Sequence, residues 1–156
     1  MFRRLAFGLL GAGLLLIAAP AAVGQPPTTT TNHEKGLVET FVDVIPTCEG
    51  GGPLYTITTT SNLVEHETVF DNGDVHATFT QTGKFTASPL NDPSLPSFTG
   101  KFTTWGNFNQ SGSTVNGTFT FNLQGTGSDG STVSSHQVQH FNVPPDGSVK
   151  EFFHCH

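Results

Sequence analysis

Seven histidines offer the widest chemistry in this sequence, because an imidazole can carry a proton, coordinate a metal ion or anchor a ligand. Phenylalanine is also frequent, with 14 residues, and several recur in phase along predicted strands. A few polar anchors in an apolar, aromatic wall are typical of a small-molecule site. The candidate wall consists of Phe79, Phe85, Phe102, Phe119 and Phe121.

Turn signals predict that three histidines share a face with these rings. Asn72-Gly73 and Asp129-Gly130 each favour a tight hairpin loop, and counting back from a two-residue loop fixes the pairing of the strands. The predicted cross-strand pairs are His66 with Phe79, His136 with Leu123, and His140 with Phe119. The three imidazoles then project inward, where they either anchor a ligand or hydrogen-bond to neighbouring side chains and only fill the interior.

The sequence assigns no catalytic residue, metal site or cofactor. His136 and His140 are four residues apart in one strand, a separation of about 13 Å, which is too long for one ion. His154 and His156 have a better spacing, but we expect them to lie in solvent at a fraying strand end. No G-x-S-x-G motif is present to indicate a serine nucleophile. The sequence does not decide between an enzyme and a binding protein.

A repeat predicts the elements that carry these side chains. The segments 82–86, 99–103 and 116–120 read TGKFT, TGKFT and NGTFT, with a period of 17 residues. That period fits a long strand plus a tight turn. We predict an all-β fold, an antiparallel up-and-down meander of seven or eight long strands closed into a small barrel, with a flattened β-sandwich as the alternative.

Residues 54–70 allow two interpretations, because their apolar positions change phase midway. They form either two strands with a hairpin at Ser61-Asn62 or one long strand with a bulge. One bulged strand places Cys48 and Cys155 at the same rim of the barrel, whereas two strands place them at opposite rims. We therefore predict a single bulged strand and a Cys48–Cys155 disulfide.

The amino-terminal residues indicate export. Residues 1–24 combine two arginines, an apolar run and small residues suited to cleavage, so we predict a secretory signal peptide, with cleavage after Ala21 or Gly24. Residues 25–35 then form a disordered leader, and residues 36–156 form a single β-barrel domain. The expected location is secreted or extracellular, with no membrane span after cleavage.

Charge limits the partners that we expect. Once the signal peptide is removed, only four lysines and no arginine balance 12 acidic residues. Clustered positive charge is needed to bind phosphate groups, so the composition argues against nucleic acid as a partner.

Several segments resemble those of a group of small secreted β-barrel proteins of actinobacteria. They are HETV at 66–69, GTFTF at 117–121, GTGSDGST at 125–132 and HFNVPPDGSV at 140–149, followed by Cys155-His156. The resemblance implies an exported bacterial protein and carries over no activity. In architecture alone the chain is similar to calycin-type barrels, such as the lipocalins and allene oxide cyclase-like proteins, although it has no lipocalin G-x-W motif near the first strand.

The leading functional hypothesis is a secreted barrel that binds a small apolar or amphipathic molecule inside, with His66, His136 and His140 as polar anchors. One alternative is a filled barrel that acts through its surface as an envelope-associated or interaction module. A second alternative is a cofactor-free cyclase or isomerase that uses an interior histidine.

Overall fold

Seven antiparallel strands form one sheet in the computed structural model, which describes residues 26–45, 48 and 51–156. The predicted signal peptide lies outside the described residues. The strands follow one another in the sheet in chain order: β1 is Thr28–Val44, β2 Leu54–Val69, β3 Val75–Pro89, β4 Phe98–Ser111, β5 Thr114–Gly127, β6 Thr132–Val143 and β7 Lys150–Cys155. No helix in this part of the chain is long and apolar enough to cross a membrane.

The predicted meander is confirmed, and closure into a barrel is not. Each strand pairs only with its neighbours in the chain, so within the described residues β1 and β7 have unpaired outer edges. Their lengths differ greatly, because β1 has 17 residues and β7 has six.

The first strand begins earlier than the sequence indicated. Residues 28–35, which we assigned to a disordered leader, pair with residues 62–69 of β2. The ladder is interrupted by a bulge at Gly36, whose φ of 68° favours glycine. The Gly36 amide donates to Asn62 Oδ1 at 3.1 Å. Residues 54–69 are a single strand as predicted, and the bulge lies opposite them in β1.

One side of the curled sheet, the inner face, carries the hydrophobic core. Its buried cluster extends from the end of β1 to β6 and consists of Ile45, Tyr55, Ile57, Phe85, Ala87, Phe98, Leu123 and Val133. Glycine allows the rings to lie directly on neighbouring backbone. A Cβ atom at Gly100 would lie 2.0 Å from the Gln124 carbonyl oxygen and 2.6 Å from Phe85 Cε1, so no side chain fits there.

The Cys48–Cys155 disulfide is present, as predicted, and its Cα atoms are 5.4 Å apart. It ties the segment after β1 to the end of β7. The two edge strands are therefore joined at the end of the sheet where Ile45 enters the core, although no ladder connects them.

Two hairpins have three-residue loops where we predicted two-residue loops. At the β2–β3 turn the Phe70 amide donates to the Asp74 carbonyl at 2.9 Å, and only Gly73 has a positive φ. A two-residue type I′ loop needs positive φ at both of its residues, and Asn72 does not adopt it. The β5–β6 turn has the same form, with a positive φ at Gly130 alone. The extra residue moves the register by one and reverses which face each β2 or β6 side chain occupies, relative to our prediction.

The β4–β5 loop also differs, but without changing faces. The sequence Ser111-Gly112 predicts a two-residue loop at these two positions, but the loop consists of Gly112 and Ser113. The register therefore moves by two residues, and Phe102 opposes Leu123. Apolar residues still meet apolar residues across this pair of strands, because side chains alternate with a period of two.

Asp74 connects two of these hairpins. Its carboxylate accepts hydrogen bonds from Ser111 Oγ at 2.9 Å, from the Gly112 amide at 3.0 Å and from Asn72 Nδ2 at 2.9 Å. These donors, led by the Ser111 hydroxyl, lower the pKa of Asp74 below its ordinary value of 3.8. A carboxyl whose folded pKa is lowered stabilises the fold above the ordinary value, and the effect disappears as the pH falls through the lowered value.

We therefore expect Asp74→Asn to lower the urea midpoint of unfolding at pH 7, with the difference from wild type shrinking below about pH 4. Asp146→Asn is the matched control: hydrogen bonds from Ser148 also lower the pKa of Asp146, but they lie within one turn and link no second hairpin. We expect its urea midpoint at pH 7 to fall by less than that of Asp74→Asn. Equal midpoints for Asp74→Asn and wild type at pH 7 would show that this link between hairpins does not contribute to stability.

Candidate binding face

The five predicted wall residues lie on the inner face. Phe85 and Phe102 are buried, and Phe79, Phe119 and Phe121 are half-buried. Their rings pack against one another, with centroid distances of 5.6 Å for Phe79–Phe119 and 6.1 Å for Phe102–Phe121. A role for these rings in ligand binding stays a prediction.

The predicted inward placement of the three histidines is wrong. His66 opposes Thr78, His136 opposes Asn122, and all three imidazoles are exposed on the side opposite the core, the outer face. The cause is the extra residue in each turn described above. The interior therefore lacks the imidazole that the cyclase or isomerase hypothesis requires, and the ligand-binding hypothesis loses its proposed anchors.

Four outer-face histidines each make the same kind of hydrogen bond. In each, Nδ1 hydrogen-bonds to a threonine or asparagine on an adjacent strand, which leaves Nε2 unused by that contact. The pairs are His66 with Thr31 at 2.8 Å, His140 with Thr118 at 2.8 Å, His136 with Asn122 at 2.5 Å, and His76 with Asn109. These rings are oriented by the sheet.

Amides and hydroxyls occupy the inner positions where we expected imidazoles. Gln81 is 1% exposed and donates through Nε2 to Ser61 Oγ at 2.8 Å, and buried Gln137 donates to Ser135 Oγ at 3.1 Å. Thr59 Oγ1 is buried without a hydrogen-bond partner. The alternation of β3 could have revealed Gln81, because it lies in phase with Phe79 and Phe85.

Charge is segregated between the two faces. All four lysines and all seven histidines lie on the outer face: Lys35, Lys84, Lys101, Lys150, His33, His66, His76, His136, His140, His154 and His156. The carboxylates within the strands all lie on the inner face: Glu34, Glu39, Asp43, Glu65, Glu67 and Glu151. The positive charge that composition alone makes sparse is thus collected on one side, with no strand carboxylate beside it.

Two lysines form the centre of this positive face. Lys84 and Lys101 lie directly opposite each other on β3 and β4. Like charges in that position repel each other, so the pair is unfavourable for folding alone. An anion placed between the two ammonium groups would relieve that repulsion.

Two shallow hollows adjoin Lys101. One, of about 460 Å³, is lined by residues of β2, β3 and β4 that include Lys84 and Thr103. The other, of about 440 Å³, is lined by residues of β4, β5 and β6 that include Gln124 and Ser134. Because Lys101 lines both, they form a track across five strands, roughly 19 Å at a strand spacing of about 4.8 Å.

A row of hydroxyl groups flanks this track, and one indole lies about 13 Å from it along β4. A row of threonines crosses six strands, each residue opposing the next: Thr40, Thr58, Thr86, Thr99, Thr126 and Thr132. Trp105 is 39% exposed and lies between Thr80 and Thr120 in another row. The outer face thus combines cations, hydrogen-bonding groups and one accessible aromatic ring.

Comparison of the chain with protein-family models, with curated proteins and with solved structures found no match. Among the described residues, no group of three or more His, Cys, Asp or Glu side chains is placed to hold a metal ion.

Proposed function

We propose that this protein is a secreted binding module that takes an acidic polysaccharide across its outer face. One observation carries the proposal: every lysine and histidine of the described sheet lies on that face, and every strand carboxylate lies on the other. A surface of one sign raises the local concentration of a polymer of the opposite sign, even when the whole protein is acidic.

The side chains around the lysines favour a sugar polymer. Threonine hydroxyls donate and accept hydrogen bonds, as sugar hydroxyls do, and they suit a ligand with many such groups. Trp105 offers an apolar face on which a sugar ring packs. Nucleic acid is a poorer fit because the described residues contain no arginine for bidentate phosphate contacts.

The shape of the site supports a chain-like ligand. The two hollows are open and lie end to end across β2 to β6, so an extended polymer contacts both. Lys101 stands between them, where it pairs with a carboxylate or sulfate of the bound chain. Such contacts are partly screened by salt, so affinity falls as ionic strength rises.

The test is calorimetric titration with polygalacturonate at pH 7 and low salt, with neutral dextran as the control polymer. We expect saturable binding of polygalacturonate alone, weakened roughly tenfold by Lys84→Gln or Lys101→Gln, a loss of about 1.4 kcal/mol each. Lys150→Gln is the matched control, because Lys150 is on the same face but in edge strand β7. We expect its affinity to stay within about twofold of wild type.

Equal affinities for Lys101→Gln and Lys150→Gln would contradict binding along the track. They would mean that affinity depends only on the total charge of the outer face. Binding of dextran as tight as that of polygalacturonate would contradict the role of the lysines.

A second candidate function is retention of a small molecule in the interior. The observation in its favour is Thr59, whose buried hydroxyl has no hydrogen-bond partner. Its polar anchors would be Gln81 and Gln137 rather than histidines. Native mass spectrometry of the protein from its own host tests this candidate, because a bound molecule adds its mass to the folded ion and a bare mass contradicts it.

A further inference from the structure

Three histidines from two strands meet on the outer face beside the disulfide. His154 and His156 are on β7 and directly beyond its end, and their ring centroids are 4.0 Å apart. His136, on β6, stacks near His156 with a centroid distance of 6.1 Å. We infer that these three imidazoles form a binding site for a divalent transition-metal ion such as Zn²⁺.

The backbone holds His156 in place. Its amide donates to the His136 carbonyl at 2.9 Å, and the His136 amide donates to the His156 carbonyl at 3.0 Å. The sequence suggested that His154 and His156 fray into solvent, but this two-way pairing extends the β6–β7 ladder to His156. It also brings in a third imidazole that is 20 positions away in the sequence.

The ring spacing is close to what one ion requires. A tetrahedral zinc ion with Zn–N bonds of about 2.1 Å holds imidazole centroids roughly 5 Å apart. The His154–His156 and His136–His156 spacings lie on either side of that value, with the rings edge to face in the first pair and nearly parallel in the second. As placed in the structure, the three rings could not hold an ion together, so binding requires rotation of these exposed side chains. Such rotations take picoseconds to nanoseconds.

His136 is already oriented as a ligand. Its Nδ1 contacts the Asn122 amide oxygen at 2.5 Å, and because that oxygen accepts, Nδ1 is the donor; in the neutral ring Nε2 then has the lone pair. Histidines that bind metal ions commonly donate their other ring N–H to an oxygen in this way. Asn122 acts here as a positioning residue for His136.

The chemistry of the site selects the class of ion. Three imidazole nitrogens suit Zn²⁺, Ni²⁺ or Cu²⁺, with water completing the coordination. Ca²⁺ and Mg²⁺ prefer oxygen ligands, and no strand carboxylate lies on the outer face. Cys155 is bound to Cys48 and supplies no thiolate.

The test is calorimetric titration of the full protein with ZnCl2 at pH 7.5, without polysaccharide, so that its result is independent of the proposed function. We expect one Zn²⁺ per chain and at least a tenfold loss of affinity in His136→Ala, His154→Ala and His156→Ala. His140→Ala is the matched control, because His140 is also exposed on β6 but its ring neighbours Phe152. We expect its affinity to be unchanged.

A second readout distinguishes coordination from nonspecific binding. In 15N-histidine spectra of the wild-type protein, Zn²⁺ is expected to shift the Nε2 signal of His136 and leave that of His66 in place. His136→Ala with wild-type affinity would overturn the three-histidine site, because the pair on β7 would then suffice. Absence of saturable Zn²⁺ binding to the folded wild-type protein would overturn it as well.

Discussion

Replacing Phe85 by alanine is expected to lower the free energy of unfolding by about 3 to 5 kcal/mol. The Phe85 side chain is 2% exposed and belongs to the buried cluster. Its ring lies over Gly100 and Gly125, because a Cβ atom at either position would be within 2.7 Å of a Phe85 ring atom. Neither glycine has a side chain that could fill the space left by truncation, so the cavity remains open.

Urea denaturation followed by tryptophan fluorescence measures this loss. Phe153→Ala is the matched control, because Phe153 is 44% exposed on edge strand β7 and its removal is expected to cost below about 1 kcal/mol. Equal losses in the two variants would contradict a core that is centred on Phe85.

Removing the disulfide is expected to cost a similar amount. Cys48 and Cys155 are 107 positions apart, and a crosslink that closes about 100 residues stabilises by roughly 4 to 5 kcal/mol in the chain-entropy model. We expect a Cys48→Ser/Cys155→Ser double variant to lose about that much, because this bond alone ties the unpaired edges β1 and β7 together covalently.

The comparison needs wild type in both redox states. Reduced wild type should unfold at the urea midpoint of the double variant, whereas oxidised wild type should require more urea. A loss below about 1 kcal/mol in the double variant would contradict this expectation, because it would mean that the crosslink restricts the unfolded chain very little.

Much of the sheet could be predicted from the sequence because side-chain alternation is a local property. The phase of β3 placed Phe79 and Phe85 on the inner face, and the 17-residue repeat carried that assignment to β4 and β5. Closure could not be predicted, because it depends on whether two edges that are distant in the sequence meet. The pairing of residues 28–35 was missed because a threonine-rich segment also has the composition of a flexible leader.

The candidate site was harder to predict, because it depends on the conformation of two turns. Asn72-Gly73 is compatible with a two-residue or a three-residue loop, and the choice between them moves His66 from one face to the other. Composition likewise hid the positive face, since the lysines are few in number and only the register shows that they share a side with the histidines. The pairing of His136 with His156 depends on the β6–β7 turn in the same way.

The most direct measurement of the central claim is the set of cross-strand nuclear Overhauser effects in the folded protein. The outer face described here requires contacts of His66 with Thr78, of His136 with Asn122 and of His140 with Thr118. Backbone contacts at these pairs are the expected result. Contacts of His66 with Phe79, of His136 with Leu123 and of His140 with Phe119 would contradict it, because those imidazoles would then lie inside the curled sheet and the positive face would lose three of its members.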